Sequence, residues 1–146
     1  MEILIQNEQT LPVKRNRLRQ TVRKLLRAEG RSEKVEVSLL LTNDERIHKL
    51  NKDYRDMDRP TDVLSFSQGD VQETPCQVDE VIGDVVISVE TAVRQAHALG
   101  RDPDDEMDML LAHGVLHLLG YDDDTETGAE EMRRKVAAVL GAEIAR

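Results

Sequence analysis

The chain has little cysteine and few aromatic residues. Of its 146 residues one is cysteine, none is tryptophan, and only Phe66, Tyr54 and Tyr121 are aromatic. A lone Cys76 excludes an internal disulfide, and with no His or Cys beside it in sequence it is given no role. With so few rings, the core has to be built from Leu, Val, Ile and Ala. No apolar run approaches the roughly 18 residues of a membrane span. The opening stretch, MEILIQNEQT, starts with an acid and holds no apolar signal core. These absences lead us to expect a cytoplasmic protein. What is present, 39% hydrophobic residues over a length that suits a single domain spanning 1–146, is enough to bury a core.

The net charge is −9, spread unevenly. Lys14 to Arg31 carries eight basic residues (Lys14, Arg15, Arg17, Arg19, Arg23, Lys24, Arg27, Arg31) against one acid, Glu29, which is +7 locally and leaves −16 for the rest. A general nucleic-acid binder is basic overall, and this chain is not. One basic helix on an acidic body either grips a phosphate backbone or an acidic partner, or is simply a solvated face.

The hydrophobic pattern predicts an α+β domain with about four strands in a mixed sheet and about five helices. EILIQ (2–6), VEVSLLL (35–41), DVLSF (62–66) and VIGDVVISV (81–89) read as strands. Gly83 inside the last suggests a bulge or a close backbone approach. Helices are expected over 14–29, ending at Gly30, from a capping box at Thr42 with Glu45, over 89–98, from Asp102-Pro103 to Gly120, and from Thr127 with Glu130. Tyr54 is a candidate for the apolar stripe of the second helix. Residues 68–80 are polar, with Gly and Pro, and read as a loop. Asp104, Asp105 and Glu106 fill the positive end of a helix dipole, which explains that acidic cluster without a metal.

Residues 113–123, HGVLHLLGYDD, carry the chemistry. His113 and His117 are four apart, so a helix presents both imidazoles on one face. Their neighbours are almost all Leu and Val, which places this helix centrally. Gly114 sits inside it at a cost of about 1 kcal/mol relative to Ala, a sign that another backbone or a substrate passes close. Gly120 ends the helix, and the following turn can return Asp122, Asp123 or Asp124 as a third ligand. In HExxH metalloproteases a Glu general base follows the first His. Here that place is Gly114, which argues against proteolysis.

These residues resemble a known family. HGVLHLLGYDD is similar to the HGxLHLxGYDH motif of the YbeY endoribonucleases, bacterial rRNA maturation factors. LNKDYRDMDRPTDVLSFS (50–67) resembles that family's LNxxYRxxxxxTDVLSF block, and VIGDVVIS (81–88) its LGDIxIS block. The three stand in the family's order and spacing, over about half the chain from Leu50 to Asp122. The resemblance implies an α+β fold with a metzincin-like metal helix, a zinc-type site, and cleavage of single-stranded RNA. It implies a role in small-subunit rRNA 3′ end maturation and ribosome quality control, with the ribosome or its proteins as partners. His113 and His117 match the first two metal ligands. Arg55 matches an arginine that contacts the RNA phosphate near the metal.

The third position departs from the pattern, because this chain has Asp123 where the family has His. A carboxylate also binds Zn²⁺, and His₂-carboxylate sites hydrolyse well. The harder oxygen weakens the preference for zinc and admits Mn²⁺ or Mg²⁺. We therefore expect His113, His117 and Asp123 as ligands, with Asp124 as the alternative to Asp123. Arg55 is expected as a phosphate clamp, against a salt bridge to Asp56, Asp58 or Asp62. Arg19 and Arg23 are expected RNA contacts. Thr61, Asp62, Ser65 and Ser67 read equally as site supports or as ordinary turn and strand polarity. His48 and His97 read as surface residues. Two other functions fit the same residues: a ribosome-associated binding factor whose metal site has degenerated, and another small metal-dependent hydrolase.

Overall fold

The computed structural model describes residues 1–67 and 80–145. The elements run β1 (Glu2–Asn7), α1 (Arg15–Ala28), β2 (Val35–Thr42), α2 (Asp44–Arg55), β3 (Val63–Ser67), β4 (Glu80–Ser88), α3 (Val89–Leu99), α4 (Pro103–Leu118) and α5 (Glu126–Leu140). The expected α+β class and mixed four-stranded sheet are both present. Of the expected loop 68–80, Glu80 begins β4, and the rest, with Cys76, lies outside the described residues.

The strand order is β1-β2-β4-β3. β1, β2 and β4 are parallel, which requires crossovers such as α1 between them. β3 returns antiparallel on β4 and forms one edge. Strand alternation divides the side chains between two cores. Val35, Val37, Leu39 and Leu41 of β2, with Val85 and Ile87 of β4, face the main core built with α1, α3, α4 and α5. Val86 and Leu64 face the other way and meet Ile47 of α2 in a smaller core.

α4 runs through the centre. Glu106 to Ala112 and Gly114 to Leu116 are buried, whereas His113 and His117 are half-buried. Its acidic start is tied to α1. Lys14 pairs with Asp104 at 2.9 Å, and Arg17 reaches Asp105 at 2.6 Å and Asp108 at 2.7 Å. Burial pushes the Asp108 carboxyl up, although Arg17 and Thr21 both support its charge. Arg101 stands 3.2 Å from the fully buried Glu106. Two of the acids that the sequence assigned to the helix dipole, Asp104 and Asp105, thus also offset charge at the start of the basic stretch. Arg27 pairs with Glu33 and Arg31 with Glu80. Among the described residues, Arg15, Arg19, Arg23 and Lys24 have no carboxylate partner within ion-pair distance.

Two caps differ from the sequence reading. The α2 cap is Asn43, whose side chain accepts from the Arg46 amide at 2.9 Å. Thr42 instead finishes β2, fully buried, with its hydroxyl on Glu8 at 2.7 Å. The α5 cap is Thr125, two residues before the expected Thr127, accepting from Gly128 N at 3.0 Å. In both places a neighbouring Asn or Thr offers the same capping chemistry, and the end of the preceding segment decides between them. Tyr54 also departs from expectation: it is 71% exposed.

Gly83 meets both of its expected reasons. The β2–β4 register slips there, with Glu36 opposite Val81 and Val37 opposite Gly83, so Ile82 is the extra residue of a bulge. Its φ is +147°, and a Cβ would lie 2.4 Å from the Phe66 carbonyl oxygen and 2.9 Å from Leu118 Cδ2. Gly83→Ala should cost roughly 2–5 kcal/mol, combining backbone strain and overpacking, and lower Tm by roughly 5–15 °C. A thermal melt within a degree or two of wild type would contradict this packing.

Candidate active site

β3, the end of α2 and the last turns of α4 enclose a cavity of about 760 Å³. His113, His117, Arg55 and Asp123 all line it, together with Asp62, Ser65, Ser67, Asp122 and Asp124. The structure therefore brings together four residues that the sequence nominated from two separate segments, 50–67 and 113–123. Ser65 and Ser67, alternating on β3, both face this cavity, whereas Phe66 between them does not line it.

The close approach at Gly114 is a side chain of the sheet, where the sequence suggested a backbone or a substrate. A Cβ there would lie 2.6 Å from Val85 Cγ1 and 3.3 Å from Ser65 Oγ. The Gly114 carbonyl accepts from the Ser65 hydroxyl at 2.8 Å. The missing side chain lets α4 settle on β4 and β3, which brings the histidines to the strand edge. A glutamate in this place, as in HExxH helices, would strike Val85.

The His117 ring is fixed by the turn after the helix. Its Nδ1 is 3.0 Å from the Tyr121 carbonyl oxygen, which can only accept, so Nδ1 carries the hydrogen. The neutral ring then presents a lone pair at Nε2, which lies 3.8 Å from Asp123 Oδ1. We expect ¹⁵N NMR of the metal-free protein to show the neutral form of His117 as the Nδ1–H tautomer. An Nε2–H signature would contradict this orientation.

Tyr121 is itself held from two distant helices. Its hydroxyl donates to Glu29 of α1, Lys135 of α5 donates to the same carboxylate at 3.0 Å, and the Lys135 ammonium lies 5.1 Å from the Tyr121 ring centroid. Burial pushes the Glu29 carboxyl up, but the hydrogen bonds from Tyr121 and Lys135 outweigh it and hold the group below its ordinary range. The hydrogen bond to Glu29 raises the Tyr121 phenol. Sequence reasoning missed this support, because Glu29 is separated from Tyr121 by 92 positions and from Lys135 by 106.

Arg55 makes no ion pair with Asp56, Asp58 or Asp62. Its Nη2 donates to the Ser65 carbonyl at 2.7 Å, and its guanidinium lies 5.7 Å from the Phe66 ring centroid. Asp58 is engaged by His48 at 2.7 Å. Asp62 accepts from its neighbour's amide, Val63 N, at 2.8 Å, and from Gln95 at 3.3 Å. Arg19 and Arg23 are elsewhere, lining a second groove with the far face of the sheet.

The donor chemistry fits a divalent cation. Two ligands of one zinc ion lie at most about 4.2 Å apart, the sum of two bond lengths, and the His117–Asp123 separation is within that limit. An imidazole whose other nitrogen donates to a backbone carbonyl is the usual arrangement of a metal-binding histidine. Among the described residues, no three His, Cys, Asp or Glu side chains already stand as a closed metal cluster. His113 lines the same cavity one turn earlier on α4.

A family model described as Endoribonuclease YbeY matches residues 4–142. An Endoribonuclease YbeY of Desulfitobacterium hafniense is 46% identical over 127 residues, covering 84% of this chain and 81% of that protein. One from Moorella thermoacetica is 42% identical over 149 aligned positions, covering 96% of both. The solution structure of TM1509 from Thermotoga maritima is similar with a TM-score of 0.63 at 26% identity, covering 95% of this chain and 89% of that one.

Proposed function

This chain belongs to the Endoribonuclease YbeY family, and on that premise we propose that it is a metal-dependent endoribonuclease that cuts single-stranded RNA. Its substrate is ribosomal RNA, at the 3′ end of the small-subunit species, and its work serves ribosome maturation and quality control in the cytoplasm. The observation that carries this reading is the single cavity shared by His113, His117, Asp123 and Arg55.

Charge supports it as well. Asp62, Asp122, Asp123 and Asp124 line the cavity against one cation, Arg55, among the described residues. A polyanionic substrate is repelled by such a surface unless a cation offsets it. His113, His117 and Asp123 would hold that cation, which, when bound, polarises a phosphoryl oxygen and neutralises its charge. Zn²⁺ suits two imidazoles, and Asp123 admits Mn²⁺ or Mg²⁺.

The chain's own residues do the positioning. Tyr121 holds the His117 ring through its carbonyl, with Nε2 turned to the cavity. Arg55, already fixed by Ser65 and Phe66, presents its remaining N–H groups to phosphate oxygens in the forked geometry that guanidinium favours. Ser67 places a further hydroxyl along the strand edge beside it, while the Ser65 hydroxyl is taken up by the Gly114 carbonyl. The experiment is cleavage of single- and double-stranded RNA by purified protein with and without chelator. Cleavage confined to the single strand and lost with chelator is expected. Chelator-resistant cleavage would sink the metal mechanism.

A further inference from the structure

Among the described residues, the sheet's second face is only half covered. α2 packs over the β3–β4 half, while the β1 half opens on a groove of about 900 Å³, where Leu4 is 44% exposed. Arg19 and Arg23 of α1 and Arg46 of α2 line this groove, and none has a carboxylate within ion-pair distance among the described residues. Glu2 and Asp84 line it too, so among the described residues its cationic side chains outnumber its acids by one, in a chain of net charge −9. Tyr54 stands at its α2 side, 71% exposed, with its ring edge-on to Phe66 at 5.7 Å between centroids. Packing on Phe66 holds that ring in place, so stacking a base on it costs little further ordering.

This groove adjoins the active-site cavity. Tyr54 and Phe66 line the groove, while their chain neighbours Arg55, Ser65 and Ser67 line the cavity. The Arg55 guanidinium lies against Phe66, which places the two linings back to back across β3 and the end of α2. β3 is an edge strand, so a flexible chain can pass over it from one to the other.

We propose that this groove is the track for the single-stranded RNA flanking the cut: Tyr54 stacks a base where the strand crosses β3, and Arg19, Arg23 and Arg46 hold the phosphates beyond. The proposal rests on the endoribonuclease reading. Arginines with no carboxylate partner among the described residues, interleaved with an exposed, fixed aromatic ring, are the chemistry of single-strand binding, and on an acidic protein such arginines favour a polyanion over a peptide.

The test compares RNA single strands of about 5 nucleotides, near the lower end of usual single-strand site sizes, and about 20, above them, by cleavage kinetics and anisotropy across a salt series. Tyr54→Ala should lower the long-to-short ratio of kcat/KM about tenfold, and Tyr54→Phe, which keeps the stacking face, should restore it. Arg19→Glu with Arg23→Glu should reduce the salt slope for the long strand by about 1.4, from roughly 0.7 per phosphate contact. Arg15→Glu with Lys24→Glu makes the same charge change on α1 outside the groove and should alter that slope far less. Equal effects of the two pairs, or an unmoved length ratio in Tyr54→Ala, would overturn the track, and a protein-docking groove predicts that second outcome. Wild-type protein that cleaves neither strand would instead overturn the endoribonuclease reading, and the track with it.

Discussion

His117→Ala is expected to lower RNA cleavage by more than about a hundredfold, because even the outer partners of metal-binding histidines are worth roughly 10–100-fold. The substitution removes the lone pair that faces Asp123 and leaves the rest of α4 in place. The ring is half-exposed, and its hydrogen bond with the Tyr121 carbonyl, its one such bond among the described residues, contributes about 1 kcal/mol. The variant should therefore melt close to wild type while its activity collapses. His113→Ala should lose activity similarly, since both rings line one cavity. Near-normal cleavage in either variant, measured at saturating metal, would remove the histidine pair from the chemistry.

Arg55→Ala is expected to lower kcat/KM by roughly 10²–10³-fold, the usual scale for removing one preorganised donor to a developing charge. Preorganisation is visible here: the guanidinium is fixed by the Ser65 carbonyl and the Phe66 ring, and no carboxylate among the described residues competes for it. Arg55→Lys keeps the charge but loses the fork, so it should fall between the two. Metal content should stay at the wild-type level in both variants, since Arg55 is no ligand. A loss of metal together with activity would show that Arg55 supports the site's structure and does not hold the phosphate.

The parts of the fold set by local pattern were readable in the sequence. Strands β1, β2 and β4 came from alternation and apolar runs, and Asp102-Pro103 marked the start of α4, where the Asp102 side chain accepts from Asp104 N at 2.7 Å. Gly83 and Gly114 both signal a close approach in the sequence. What lay against them, the Phe66 carbonyl and the Val85 side chain, belongs to other strands and leaves no local trace. The same limit explains Tyr54, whose helical spacing suits a core position although the α2 face it occupies overhangs an open groove. The cavity was legible because its proposed ligands cluster on one helix and the turn after it, and because the YR block carried Arg55. The Glu29–Tyr121–Lys135 support joins three distant segments, and no spacing announces it. The basic run was legible as charge alone. Pairing with Asp104, Asp105, Asp108, Glu33 and Glu80 consumes half of it, while Arg19 and Arg23 face a groove separate from the histidines.

On the proposed function, His113, His117 and Asp123 together hold the ion on which RNA cleavage depends. The most direct test is elemental analysis of dialysed protein alongside RNA cleavage, for wild type, His117→Ala, Asp123→Ala and Asp123→His. Wild type should retain about one divalent ion per chain, the three-ligand stoichiometry of a hydrolytic site. His117→Ala and Asp123→Ala should lose both ion and activity, and Asp123→His should keep both with a stronger preference for zinc. Full cleavage by metal-free wild type, or undiminished metal and cleavage in Asp123→Ala, would contradict the account.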